Sequence, residues 1–137
     1  MAGGELAGTE YQVGDLAGAL GGASLALTKS GTVTLECAIF GVPAVVFYKT
    51  SGLNYAIGKR IVRVKHIAMP NLLAGETVFP EFIQAEATPE AIAAAGLKLL
   101  SDADLRDRVR QRLEAIVRSL GSAGASRRAA DAVLSLL

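Results

Sequence analysis

An α/β fold, a parallel sheet followed by a helical tail, is the class that this sequence predicts. Two short apolar runs, Ser24 to Thr28 and Ala44 to Tyr48, read as buried strands. The stretches after them carry helical spacing, and consecutive apolar strands joined by helices pair in parallel through right-handed crossovers. Beyond residue 87 the strand patterns stop and cap signals open one helix after another.

Residues 1–23 are a Gly-rich start. Within them Gln12 to Leu20 reads as a weak helix, with Val13, Leu16, Ala17 and Leu20 at i, i+3, i+4, i+7. Gly14 and Gly18 weaken it, and Gly21-Gly22 ends it. Residues 24–86 form the α/β core. The strand Ser24 to Thr28 leads into the turn Lys29-Ser30-Gly31-Thr32, which opens a helix over Thr32 to Phe40. Gly41 and Pro43 close that helix. Ala44 to Tyr48 is the clearest strand, apolar throughout and rich in β-branched and aromatic residues. Ser51 caps a helix over roughly Gly52 to Val62, with Leu53, Ile57, Ile61 and Val62 along one side. Val64 to Met69 is read as a third strand, Pro70 to Pro80 as a loop, and Glu81 to Gln84 as one short helical turn.

Residues 87–137 are helices expected to pack on that core. Thr88 caps the first, with Pro89 at its first position and Glu90 in its first turn. Ser101 or Asp102 caps the next, whose stripe is Leu105, Val109, Leu113, Ile116 and Leu120. Its Arg-rich faces, with Asp104 and Arg108 at i, i+4, read as solvated. After a break over Gly121 to Ser126, Arg127 to Leu137 is expected to turn Ala130, Val133, Leu134 and Leu137 inward. Three strands are few for an open α/β sheet, so further strands are expected to precede this segment.

Composition narrows the function classes. The chain has 137 residues, 51% hydrophobic, which suits one domain with a real core and argues against disorder. A net charge of +1 lacks the basic excess of a nucleic-acid binder. The one cysteine, Cys37, sits in an apolar stretch and reads as a small buried thiol. With a single histidine, His66, it cannot build a four-ligand zinc site, and no metal is expected. The longest strongly apolar run, Val42 to Tyr48, is far short of a membrane span. MAGGELAGTE has neither the basic nor the apolar region of a signal peptide, so a cytoplasmic location is expected.

Ligands of open α/β sheets bind at the carboxyl ends of the strands. The segment Thr28-Lys29-Ser30-Gly31-Thr32 lies at such an end and opens a helix, where unpaired N–H groups and the helix dipole favour an anion. Gly31 permits close backbone approach, and the hydroxyls of Ser30 and Thr32 add donors. Glu36, one helical turn after Thr32, lies about 6 Å further along the axis. It is placed to accept hydrogen bonds from a ribose diol while the turn holds a diphosphate. The same residues also suit an ordinary Ser/Thr cap with Glu36 exposed. The run is not a P-loop, because Thr28 stands where that motif needs glycine.

SGTVTLECAIFGVPAVVFYKTSGLNYAIGKR, residues 30–60, resembles the matching segment of lipid-A-disaccharide synthases. PNLLAGETVFPEFIQ, residues 70–84, is similar to their downstream loop, and GASRRAADAVL, residues 124–134, to their C-terminus. The first stretch is shared loosely with other two-domain sugar transferases; the combination is more specific. The resemblance implies the C-terminal, Rossmann-like domain of a GT-B arrangement, which holds a UDP-sugar donor. It implies Ser30, Gly31 and Thr32 at the diphosphate, Glu36 at the ribose, and Asn71, Glu81 and Gln84 near the donor sugar or phosphates. It also implies transfer from UDP-2,3-diacylglucosamine to 2,3-diacylglucosamine 1-phosphate, with no cofactor or metal. The acceptor site and catalytic base then belong to an N-terminal domain outside this chain, so the chain alone is expected to be inactive. Peripheral contact with the inner membrane and a homodimer are compatible with that picture.

Read from the residues, Asn71 and Gln84 are amides able to meet sugar hydroxyls, and Glu81 also suits a helix-start acid. Lys49, Lys59 and Arg60 suit a solvated face as well as a phosphate. Tyr48 reads as strand core, and Asn54 and Tyr55 carry no assignment. Two other functions stay open: the donor domain of another UDP-sugar transferase or epimerase, and a non-catalytic association domain.

Overall fold

The computed structural model describes residues 8–51, 65–121 and 124–136. The helix expected over 52–62, with Asn54, Tyr55, Lys59 and Arg60, lies outside them, as do Val64 and Leu137. The elements, in chain order, are α1 (Leu16–Gly21), β1 (Ala26–Lys29), α2 (Val33–Ile39), β2 (Ala44–Tyr48), α3 (Met69–Ala74), β3 (Glu81–Ile83), a 3₁₀ turn (Gln84–Glu86), α4 (Pro89–Ser101), α5 (Ala103–Ser119) and α6 (Ala125–Leu134). The fold is α/β, with a Rossmann-like parallel sheet and a helical tail. The sheet has the order β1-β2-β3, with both pairings parallel.

β2 is the middle strand, and its sequence says why. Ala44, Val45 and Val46 are fully buried, so the strand is apolar on both faces and needs no polar alternation. Cys37 and Ala38 of α2, Phe79 before β3, Leu99 of α4, and Val109, Leu113 and Ile116 of α5 complete the core. α5 packs on α2, α3 and α4, and α4 also lies against β2. Gly96 lets α4 come close to the sheet edge, for a Cβ there would stand 3.1 Å from Leu25 Cδ2.

α2 ends as its sequence prescribes. Gly41, at φ 66°, takes the left-handed position, Val42 N donates to Cys37 O at 2.8 Å, and Gly41 N donates to Ala38 O at 3.0 Å. This is a Schellman cap, with Val42 buried beside it. Thr88 and Asp102 cap α4 and α5 through side-chain oxygens that accept from Ala91 N and Leu105 N. α1 is shorter than its periodicity suggests. Gly14 and Asp15 both have left-handed backbones, so the helix starts at Leu16, with Asp15 accepting from Gly18 N at 3.0 Å.

Three expectations are corrected. The third strand is Glu81–Ile83, not Val64 to Met69. Ile67 and Ala68 give their N–H groups to the Glu81 side chain instead of a sheet ladder. The segment 70–80 is not loop throughout: residues 69–74 are α3, since proline suits a helix's first turn and Gly75, at φ 70°, caps its end. Glu81 to Gln84 is not a helical turn, because its backbone pairs with β2 from Val46 to Tyr48 and only then turns 3₁₀.

The tail also departs from expectation. On α5, Val109, Leu113 and Ile116 are buried, but Leu120 is 44% exposed. The α5 charges pair locally at the surface, Asp107 with Arg110 and Glu114 with Arg118, while Arg112 reaches Glu76. α6 begins at Ala125 and buries none of its residues; Val133 and Leu134 are 62% and 65% exposed, not turned inward. Periodicity defines an apolar face but not whether another element covers it. Among the described residues no helix is long and apolar enough to cross a membrane.

Phe79 is the largest fully buried side chain, wedged between β3 and the helices. Phe79→Ala is expected to cost about 3–5 kcal/mol, read from urea denaturation. A midpoint unchanged from the parent chain would contradict this account of the core.

Candidate functional site

Parallel pairing places the carboxyl ends of all three strands along one edge. In register, Lys29 stands opposite Phe47, Phe47 opposite Phe82, and Tyr48 opposite Ile83. Ser30-Gly31-Thr32, Lys49-Thr50 and Gln84 therefore follow one another along that edge.

The turn after β1 is open. Gly31 and Thr32 are exposed and Ser30 is half-buried. Gly31 has φ 155°, a backbone that a side chain would strain, and a Cβ built on it would meet nothing within 4 Å. The N–H groups of Gly31, Thr32 and Val33 donate to no acceptor among the described residues. Thr32 stands at the N-cap in helical geometry, and its side chain makes no capping bond. The simple cap reading is therefore not what the structure shows. Glu36 is half-buried on the stripe it shares with Thr32 and Phe40, and no hydrogen bond or ion pair to its carboxylate occurs among the described residues.

The turn is held from behind. Ser30 N donates to Phe47 O at 3.2 Å, tying it to β2. Ser30 Oγ donates to Ile67 O at 2.8 Å, so its proton is already committed and the hydroxyl is not the spare donor that the sequence suggested. Thr34, fully buried, donates from Oγ1 to Gly31 O at 2.7 Å and accepts from Met69 N at 3.2 Å.

The segment 66–69 is fixed in turn by Glu81. Its Oε1 accepts from Ile67 N at 3.0 Å and Ala68 N at 2.7 Å, and its Oε2 lies 3.4 Å from His66 Nδ1. Asn71 is fully buried. It donates to Phe79 O at 2.8 Å and accepts from Val78 N and Phe79 N at 2.9 and 2.8 Å. Gln84, in a left-handed backbone at φ 53°, accepts from Thr50 N at 2.7 Å and donates to Thr50 O at 3.1 Å.

Of the residues singled out in the sequence, Gly31, Thr32 and Glu36 keep polar groups without a partner among the described residues. Ser30, Asn71, Glu81 and Gln84 spend theirs on backbone and shape the edge instead. Gln84 still lines a hollow with Lys49, Thr50 and Ala85, at the carboxyl ends of β2 and β3. Tyr48 is not core: it is half-buried, with Lys29 Nζ 5.4 Å from its ring centroid. Thr34 went unnoticed in the sequence, although a hydroxyl three residues after Gly31 is the spacing of a side-chain bond back to a turn carbonyl.

Cys37 is buried in the core behind the turn. Burial pushes its thiol up from the ordinary cysteine value and the Glu36 charge adds to this, against a backbone hydrogen bond that lowers it. A thiol held neutral and covered is a poor nucleophile.

The lipid-A-disaccharide synthetase family model matches residues 11–135. A lipid-A-disaccharide synthase of Trichlorobacter lovleyi is 48% identical over 111 residues, 81% of this chain and 29% of that protein. That of Geobacter metallireducens is 49% identical over 110 residues, 80% of this chain and 29% of that protein. That of Syntrophus aciditrophicus is 44% identical over 119 residues, covering 87% and 31%. The chain thus spans under a third of the length of these relatives.

Two outcomes test the site's supports. Asn71→Ala leaves three backbone groups without their partner and is expected to cost at least about 2 kcal/mol in urea denaturation; an unchanged midpoint would contradict the clamp. Cys37 is expected to react with a thiol reagent at pH 8 only as fast as the chain unfolds. Rapid stoichiometric labelling of the folded chain would contradict its burial.

Proposed function

This chain belongs to the lipid-A-disaccharide synthetase family, and we propose that it is the donor-binding part of a glycosyltransferase that builds the lipid A disaccharide. The donor is UDP-2,3-diacylglucosamine and the acceptor 2,3-diacylglucosamine 1-phosphate. The observation that carries the reading is the row of N–H groups at exposed Gly31 and Thr32 and half-buried Val33, without an acceptor among the described residues, with Glu36 one helical turn beyond.

The diphosphate sits on those N–H groups and the Thr32 hydroxyl. Glu36 accepts from the ribose hydroxyls. Lys49 and the hollow beside Gln84 face the donor's sugar end. In the transfer, the acceptor's 6-hydroxyl oxygen bonds to the anomeric carbon as the bond to UDP breaks. The proton goes to a carboxylate base in the part of the enzyme outside this chain. Negative charge grows on the leaving diphosphate, and fixed N–H dipoles aimed there lower the barrier. No cofactor takes part in this scheme. The other half of the cleft is the chain's main partner, and membrane contact at the lipid substrates accompanies the work of the whole enzyme.

Glu36→Gln is expected to weaken UDP binding by about 1–3 kcal/mol, followed by amide shifts during a UDP titration. An unchanged titration refutes the ribose assignment. A chain that dimerises through the exposed stripe of α6 and ignores UDP would instead be an association domain; light scattering reads that outcome.

A further inference from the structure

We propose that Thr34 is a positioning residue of the nucleotide site, coupling the 67–69 segment to the diphosphate turn. The inference rests on the proposed function above and extends it to a residue that touches no ligand.

Gly31 O accepts twice, from Thr34 N at 3.1 Å and from Thr34 Oγ1 at 2.7 Å. A carbonyl held by two donors is fixed in direction, and its peptide plane carries the next N–H, that of Thr32, in the opposite sense. Turning Gly31 O inward thus turns Thr32 N–H out toward the open side. Gly31 lacks the side chain that would restrict this plane, so without the Thr34 hydroxyl the plane is freer to rotate. The hydroxyl is in turn oriented by Met69 N, which donates to its oxygen at 3.2 Å and leaves its proton for Gly31 O.

Met69 N is itself held in place. Ile67 N and Ala68 N, just before it, are pinned by Glu81 Oε1, and Ile67 O receives the Ser30 hydroxyl. The chain of contacts therefore runs from β3 through Glu81 to residues 67–69, and from there by two hydroxyls to the turn. Thr34 is fully buried at the step where the direction of an N–H is set. Its proton is committed to Gly31 O and its oxygen accepts from Met69 N, so it supports the turn from within.

Thr34→Val keeps shape and removes both hydroxyl bonds; Thr34→Ser keeps the bonds and loses a methyl. UDP and uridine affinities are measured for each by amide-shift titration, beside the urea midpoint. Thr34→Val is expected to bind UDP about tenfold more weakly, with uridine affinity unchanged. Thr34→Ser is expected to restore UDP binding. Without ligand, Thr34→Val is expected to shift the amides of Met69 and of Gly31 to Val33. Should valine not be accommodated, Thr34→Ala gives the same comparison. UDP binding equal to the parent chain overturns the positioning role while the nucleotide reading stands. Equal losses for UDP and uridine also overturn it, as general loosening. A parent chain blind to UDP sinks the nucleotide reading, and unshifted turn amides in ligand-free Thr34→Val sink the coupling separately.

Discussion

Glu81 Oε1 accepts hydrogen bonds from two successive backbone N–H groups, Ile67 at 3.0 Å and Ala68 at 2.7 Å, and the carboxyl edge of the sheet is organised around that pair. It stands in for a strand pairing that residues 65–68 do not make. Because those N–H groups are satisfied by a side chain, the segment can run past the sheet end and meet the turn after β1. Ile67 O and Met69 N then reach the hydroxyls of Ser30 and Thr34. Removing the carboxylate would leave the half-buried Ile67 N–H and the N–H of fully buried Ala68 to find other partners, and the turn would lose its backing.

The arrangement separates open polar groups from those that support them. At the edge, the N–H groups of Gly31 to Val33 and the carboxylate of half-buried Glu36 have no partner among the described residues. Groups behind them are satisfied, and among the described residues no buried side-chain nitrogen or oxygen is left without a hydrogen bond. On the proposed function, the dipoles of this turn are fixed before a ligand arrives, so little reorganisation is needed when charge develops on a leaving group. The cost is borne by the core, where Asn71 and Thr34 are polar side chains in full burial.

What the sequence made legible was local. β2 announces itself by an unbroken apolar run, α2 by Gly41 and Pro43, and α4 and α5 by Thr88 and Asp102. Gly31, Thr32 and Glu36 were legible for the same reason, since their spacing along one turn and one helix fixes their geometry. α3 and β3 were not. Pro70-Asn71 resembles loop punctuation, and the partners of Asn71 lie seven and eight residues away. Glu81 bonds across more than a dozen residues, and Gln84 across 34. Periodicity carries no information on such pairings. The resemblance set Asn71, Glu81 and Gln84 near the donor; in the fold their polar groups bond to backbone, and Gln84 also lines the hollow beside Lys49.

In the proposed function the N–H groups of Gly31, Thr32 and Val33 grip a diphosphate. Amide hydrogen exchange with and without saturating UDP tests it at those positions. The account predicts that exchange at residues 31–33 slows on adding UDP and does not slow on adding uridine. Protection elsewhere with these amides still exchanging freely would contradict it.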